Sequence, residues 1–102
     1  MTMFALFVEL NTKPDTHQRV DDLLRAMVAT ADAEPGVVVY AVNRPAERPD
    51  TFLLYELYRT RGDWEAHLQL PVIADALAQF ETLLASPPSV TFCESAYLTA
   101  TR

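Results

Sequence analysis

From Met3 to Leu10 the chain is almost continuously apolar, with Phe4, Leu6, Val8 and Leu10 on one side of an extended segment and Ala5 and Phe7 on the other. A period of two with apolar residues on both sides predicts a strand with little polar face. Beyond Lys13-Pro14 the period changes, and Val20, Leu23, Leu24, Met27, Val28 and Ala31 recur at helical spacing behind Asp15 and Gln18. That last pair has the spacing of a helix start. Glu34-Pro35-Gly36 stops the helix, because proline cannot continue an interior helix and glycine permits a sharp turn.

Two β-branched and aromatic runs follow, VVVYAV from Val37 to Val42 and TFLLYELY from Thr51 to Tyr58, joined by the polar NRPAERPD. They predict two strands of a hairpin with a long loop. Thr60-Arg61-Gly62-Asp63 fits a capping pattern that opens a short helix with Trp64, His67 and Leu68 on one side. Pro71 suits the first position of another helix, whose buried face is Ile73, Ala76, Leu77, Phe80, Leu83 and Leu84. Ser86-Pro87-Pro88 ends it, and Val90 to Leu98 reads as a last strand.

The order β-α-β-β-α-α-β predicts an α+β fold of the ferredoxin-like kind, a four-stranded antiparallel sheet with its helices on one face. The uncovered face would carry Ala5, Phe7, Val37, Val39, Ala41, Leu53, Tyr55 and Leu57. An antiparallel sheet facing water alternates apolar with polar residues, and this one does not. At roughly 25 cal/mol for each square ångström left wet, such a face is a liability. The expected remedy is a homodimer joined sheet to sheet.

Composition narrows the function. A chain of 102 residues, half of them apolar, makes one domain over residues 1–102. A net charge of −6 with eight scattered Lys and Arg argues against a nucleic-acid partner. The N-terminal apolar run lacks a basic leader and is interrupted by Glu9, so neither a membrane span nor a secretory signal is expected, and the reading is a cytoplasmic protein. Cys93 is the only cysteine and His17 and His67 the only histidines, which leaves no intrachain disulfide and too few soft ligands for a structural zinc. Gly36 and Gly62 are the only glycines, so no Gly-rich phosphate cradle exists for a dinucleotide or nucleotide. No metal and no cofactor is expected.

What chemistry remains lies between sheet and helices, where pockets form. Strand alternation groups Phe52, Leu54, Glu56 and Tyr58 on one side of their strand, and Val38, Tyr40 and Val42 on one side of its neighbour. His67 can reach them from the short helix. It is a candidate general acid or base with Glu56 fixing its tautomer. The competing reading is a half-buried histidine packed beside Trp64, with Glu56 paired to an arginine at the rim. Trp64 and Tyr40 read as core and pocket wall, His17 as a solvent-exposed residue of the first helical turn, and Cys93 as a small buried hydrophobe.

The stretch AEPGVVVYAVNRPAERPDTFLLYELYRTRGDWEAHLQLP resembles the antibiotic biosynthesis monooxygenase domain family in Glu34-Pro35-Gly36, Tyr40, Phe52, Glu56 and His67. The opening FALFVELNTKPD is similar to the family's first strand and turn. The resemblance implies a dimeric α/β barrel and cofactor-independent oxygenation of a quinol or hydroxylated polycyclic aromatic by O2. Three departures stand out. Tyr58 occupies a place that is usually Trp, and Leu70-Pro71-Val72 replaces a segment that often carries a second histidine. Phe7, His67 and Leu77 stand where haem-degrading relatives have Asn, Trp and His, which points away from haem. The leading expectation is therefore a monooxygenase with His67 and Glu56 catalytic, and with Tyr40, Tyr58, Trp64 and Phe52 binding a small aromatic substrate. The alternatives are a cofactor-free isomerase or cyclase using the same pair, and a non-catalytic ligand-binding dimerisation module.

Overall fold

The computed structural model describes residues 2–99, which form β1 (Met3–Asn11), α1 (His17–Asp32), β2 (Val37–Asn43), β3 (Thr51–Tyr58), α2 (Arg61–Leu68), α3 (Pro71–Leu83) and β4 (Ser89–Ser95). The strands make one antiparallel sheet in the order β2-β3-β1-β4. This is the ferredoxin-like α+β arrangement that the hydrophobic pattern predicts. The register sets Leu6 opposite Glu56, Val8 opposite Leu54 and Leu10 opposite Phe52. On that inner face the core joins Val20, Leu24 and Met27 of α1 to Ile73, Ala76 and Phe80 of α3. Burying these apolar stripes, rather than intrinsic propensity, is what holds helices of this length in place.

Two helices start where their chemistry says. Thr60 caps α2 from an extended backbone: its Oγ1 accepts from the Asp63 N–H at 3.1 Å and donates to the Asp63 carboxylate at 2.9 Å. Pro71 opens α3, where its missing N–H costs nothing. Helix α1 starts otherwise. Asp15 is a turn residue with φ of 67°, a left-handed conformation that Asp tolerates better than most residues. Thr16 takes the cap position, but its hydroxyl bonds the carbonyls of Lys13 and Leu83 instead of the helix. The Asp15–Gln18 capping pair gives way to a tertiary tie between the start of α1 and the end of α3.

Four other expectations change. A register shift sets Val37 opposite Tyr58 and Val39 opposite Leu57, which makes Val38 the extra residue of a β-bulge. Val37 consequently packs against the core instead of lying on the outer face. Strand β4 ends at Ser95, short of Leu98, and Tyr97 beyond it is 97% exposed. His17 is not in open solvent: its ring stacks on Phe52 with centroids 4.7 Å apart, and its Nδ1 is buried. Cys93 is half-buried.

The outer face is apolar, as expected, but only part of it is uncovered: Ala5 and Leu57 are already buried within the chain. Phe7, Tyr55 and Ala41 form one cross-strand row and Ala5, Leu57 and Val39 the next. Phe7 is 53% exposed, with its ring 5.0 Å from that of Tyr55.

Candidate functional site

Between the inner sheet face and the helices lies a cavity of about 200 Å³. Leu6, Val8 and Leu54 floor it, α2 contributes Trp64 and His67, and α3 contributes Ile73 and Phe80. It opens past Leu77, Val90 and Phe92, all exposed. The inner face of β4 lies at that open side because β4 is the edge strand next to β1. Trp64 is held in place by other rings, 5.4 Å from Phe4 and 5.2 Å from Phe92.

The polar end is built by three residues on three elements: Tyr40 on β2, Glu56 on β3 and His67 on α2. Tyr40 and Glu56 are cross-strand partners, so the sheet itself sets their spacing. His67 sits one helical turn beyond the capped Asp63, its ring 5.5 Å from both the Tyr40 and Tyr58 rings. It is 1% exposed. Its Nδ1 lies 2.6 Å from Oε2 of Glu34, in the turn between α1 and β2. Glu56 accepts a 2.6 Å hydrogen bond from the Tyr58 hydroxyl.

Burial decides the proton affinities here. Removal from water pushes the Glu56 carboxyl above its ordinary value, opposed in part by the Tyr58 hydrogen bond and, when the ring is protonated, by the His67 imidazolium. Burial also drives the Tyr40 phenol well upward, and the Glu56 and Glu34 carboxylates push it further. The Tyr58 phenol rises for the same first reason, with Glu56 adding to it. Both tyrosines are therefore hydrogen-bond donors at any physiological pH. Among the described residues, neither lysine nor arginine lines the cavity, and no group of three His, Cys, Asp or Glu is placed to hold a metal.

Of the six residues singled out in the sequence, the structure brings Tyr40, Glu56, Trp64 and His67 to the cavity wall. Phe52 and Tyr58 stand behind it, each fully buried. Phe52 is core beneath His17, and Tyr58 spends its hydroxyl on Glu56. The partner that touches the His67 ring is Glu34 and not Glu56. Sequence reasoning passed over Glu34 because a helix stop explained Glu34-Pro35-Gly36 completely. The signal available was the family-like Glu-Pro-Gly itself, in which proline and glycine suffice for the turn and leave the glutamate unexplained.

Mostly apolar cavities with a few placed polar groups are the usual form of small-molecule sites. The chain belongs to the antibiotic biosynthesis monooxygenase family, whose model matches residues 3–79. It is similar to the solved structure of Rv0793 from Mycobacterium tuberculosis, with a TM-score of 0.91, 26% identity, and coverage of 97% of this chain and 100% of that one. The NE2512 protein of Nitrosomonas europaea is also similar, with a TM-score of 0.84, 29% identity, and coverage of 100% of this chain and 97% of that one. Among curated proteins, the uncharacterized protein sll1783 of Synechocystis sp. is 25% identical over 81 residues, 79% of this chain. The chain spans about half that relative's length, 55%. No helix among the described residues is long and apolar enough to cross a membrane.

Proposed function

We propose that the protein is a cofactor-independent monooxygenase acting on an uncharged hydroxylated aromatic, a quinol or a related phenol. One observation carries the reading: a buried imidazole, backed by a carboxylate at 2.6 Å, stands at the polar end of an otherwise apolar cavity. His67 takes the ligand's hydroxyl proton. The resulting phenolate is electron-rich enough to pass one electron to O2, and collapse of the radical pair forms the C–O bond. His67 returns its proton to the peroxide so formed, and loss of water breaks the O–O bond and the C–H bond of the same carbon, leaving a carbonyl with one oxygen atom in the product and the other in the water. The protein supplies a base, orientation and a dry site, and Tyr40 donates a hydrogen bond to the oxygen that gains charge.

The cavity's charge supports an uncharged ligand. A carboxylate brought beside Glu56 with no lysine or arginine to meet it stays unpaired, at a cost of several kcal/mol. Its size supports a small one. About 200 Å³ exceeds the roughly 150 Å³ void that holds a benzene, so one or two rings fit inside while any further ring lies in the mouth.

The assembly is read as a homodimer joined through the outer sheet face, because Phe7 and its neighbours leave an apolar surface that a second copy would cover. The acidic charge favours a small molecule over nucleic acid as partner, and the lone cysteine suits the cytoplasm. An oxygen electrode with a panel of one- and two-ring quinols and anthrones tests the activity. Enzyme-dependent uptake, lost in His67→Ala, is expected. No uptake in air or in pure oxygen defeats oxygenation in favour of an isomerase or a binding module. Light scattering at micromolar concentration returning the monomer mass defeats the dimer.

A further inference from the structure

The turn that ends α1 is tied to α2 far more closely than a connection requires. Glu34 N–H donates to the Ala31 carbonyl at 3.0 Å and Val37 N–H to the Glu34 carbonyl at 3.2 Å, closing the turn on both sides of the glutamate. Arg59, just past β3, grips the next two residues: its backbone N–H donates to the Gly36 carbonyl at 2.9 Å and its Nε to the Pro35 carbonyl at 3.2 Å. Gly36 lies so close to α2 that a Cβ there would fall inside the Asp63 side chain. Asp63 cannot yield freely, because Thr60 holds both its N–H and its carboxylate. Asp63 and His67 are four apart and so share one face of α2. The turn thus touches that face at two points, Gly36 on Asp63 and Glu34 on His67.

We propose that Glu34 is the positioning residue of this site: by accepting from Nδ1 it fixes the His67 imidazole as the tautomer whose Nε2 offers its lone pair to the cavity. A carboxylate can only accept, so the ring nitrogen 2.6 Å from it carries a proton, and in the neutral ring the other nitrogen is then the one without. The ring is also prevented from rotating, since it is packed between two tyrosine rings. Glu56, which the Tyr58 hydroxyl occupies, is left free of this duty and faces the ligand instead. The catalytic consequence rests on His67 being the acid–base group, while the tautomer does not.

Nitrogen-15 NMR of the two histidine rings, assigned with a His17→Gln variant, reads the tautomer directly in the unmodified protein at neutral pH. A protonated Nδ1 and an unprotonated Nε2 on His67 are expected. A proton on Nε2 would overturn the assignment. In Glu34→Ala the proton should move toward Nε2, whereas Glu34→Gln, which keeps an acceptor, should hold part of the original signature. Unchanged ring shifts in a folded Glu34→Ala would equally overturn it. If oxygenation is also correct, kcat of Glu34→Ala falls by up to about 10²–10⁴-fold, the share that general-base catalysis supplies. The expected tautomer in a protein that consumes no oxygen would defeat the activity and leave the assignment standing.

Discussion

Asp21 and Glu56 are each 6% exposed, but Asp21 lies shallow at the surface beneath two arginine side chains and Glu56 lies deep between sheet and helices, and their proton affinities move in opposite directions. Asp21 is met by Arg44 at 2.7 Å and Arg25 at 2.9 Å, and the Arg44 hydrogen bond leads in holding its carboxyl below the ordinary range. Glu56 has a phenol for company and no lysine or arginine, so desolvation wins and its carboxyl is pushed up. Burial alone does not say what a carboxylate is for. A charge that the fold neutralises fastens α1 to the β2–β3 connection, whereas one that it leaves unneutralised sits at the wall of a cavity. Perturbation by desolvation inside a cleft is the combination that marks functional sites.

Turnover separates the two carboxylates most clearly. His67→Ala, at the Glu56 end, should lower kcat/KM on an accepted quinol by about 10²–10⁴-fold, while Asp21→Asn should leave turnover per folded molecule unchanged. A steady-state assay corrected for folded fraction decides it; equal losses would mean the two regions are not separable.

Stability should show the converse. Asp21→Asn exchanges two charge-assisted hydrogen bonds for neutral ones, and because both arginines are largely solvent-exposed the cost should be about 1–2 kcal/mol in urea unfolding at pH 7. Asp21's contribution is complete above the unfolded value near 3.8 and is lost as pH falls through its depressed folded value. The gap between Asp21→Asn and the parent should therefore close on acidification.

Glu56→Gln should move the other way. Below about pH 4.5, the ordinary value for this carboxyl, it is protonated folded and unfolded, so the substitution changes little. As pH rises from there through the raised folded value, the native state pays for an ionised buried group, and the variant should become the more stable of the two. Thermal melts from pH 4 to 8 check the sign; a variant less stable than the parent at pH 7 would show Glu56 to be a satisfied structural charge.

The smallest effect separates the two arginines. Arg25 is an i,i+4 neighbour of Asp21 whose own side chain is largely exposed, and Arg25→Gln should cost only about 0.3–0.5 kcal/mol. Arg44→Gln, which severs the shorter and longer-range tie, should cost more in the same denaturation series.

Much of this was legible along the chain, and the parts that were not share a cause. Phe4, Leu6, Val8 and Leu10 announce β1, and the stripe from Val20 to Ala31 announces α1, because side-chain periods of 2 and 3.6 are local properties. Thr60 and Pro71 mark their helix starts because capping needs only the next few residues. Where a local rule failed, a distant group had intervened. The Leu83 carbonyl drew the Thr16 hydroxyl away from capping α1, and a bulge turned Val37 inward against the alternation of its own strand.

The order of elements, the antiparallel ferredoxin-like sheet, the apolar outer face, and the presence of Tyr40, Glu56, Trp64 and His67 on surfaces that could meet all follow from local pattern. Which groups pair does not. Phe52 and Tyr58 share a strand face with Glu56, yet the helices cover them and leave Glu56 at the cavity. The carboxylate on the His67 ring comes from Glu34, 33 residues away. Periodicity assigns a side chain to a face, but a hydrogen bond needs a distance good to a few tenths of an ångström. That distance is set here by the packing of Gly36 on Asp63, a contact between two elements that no local pattern encodes.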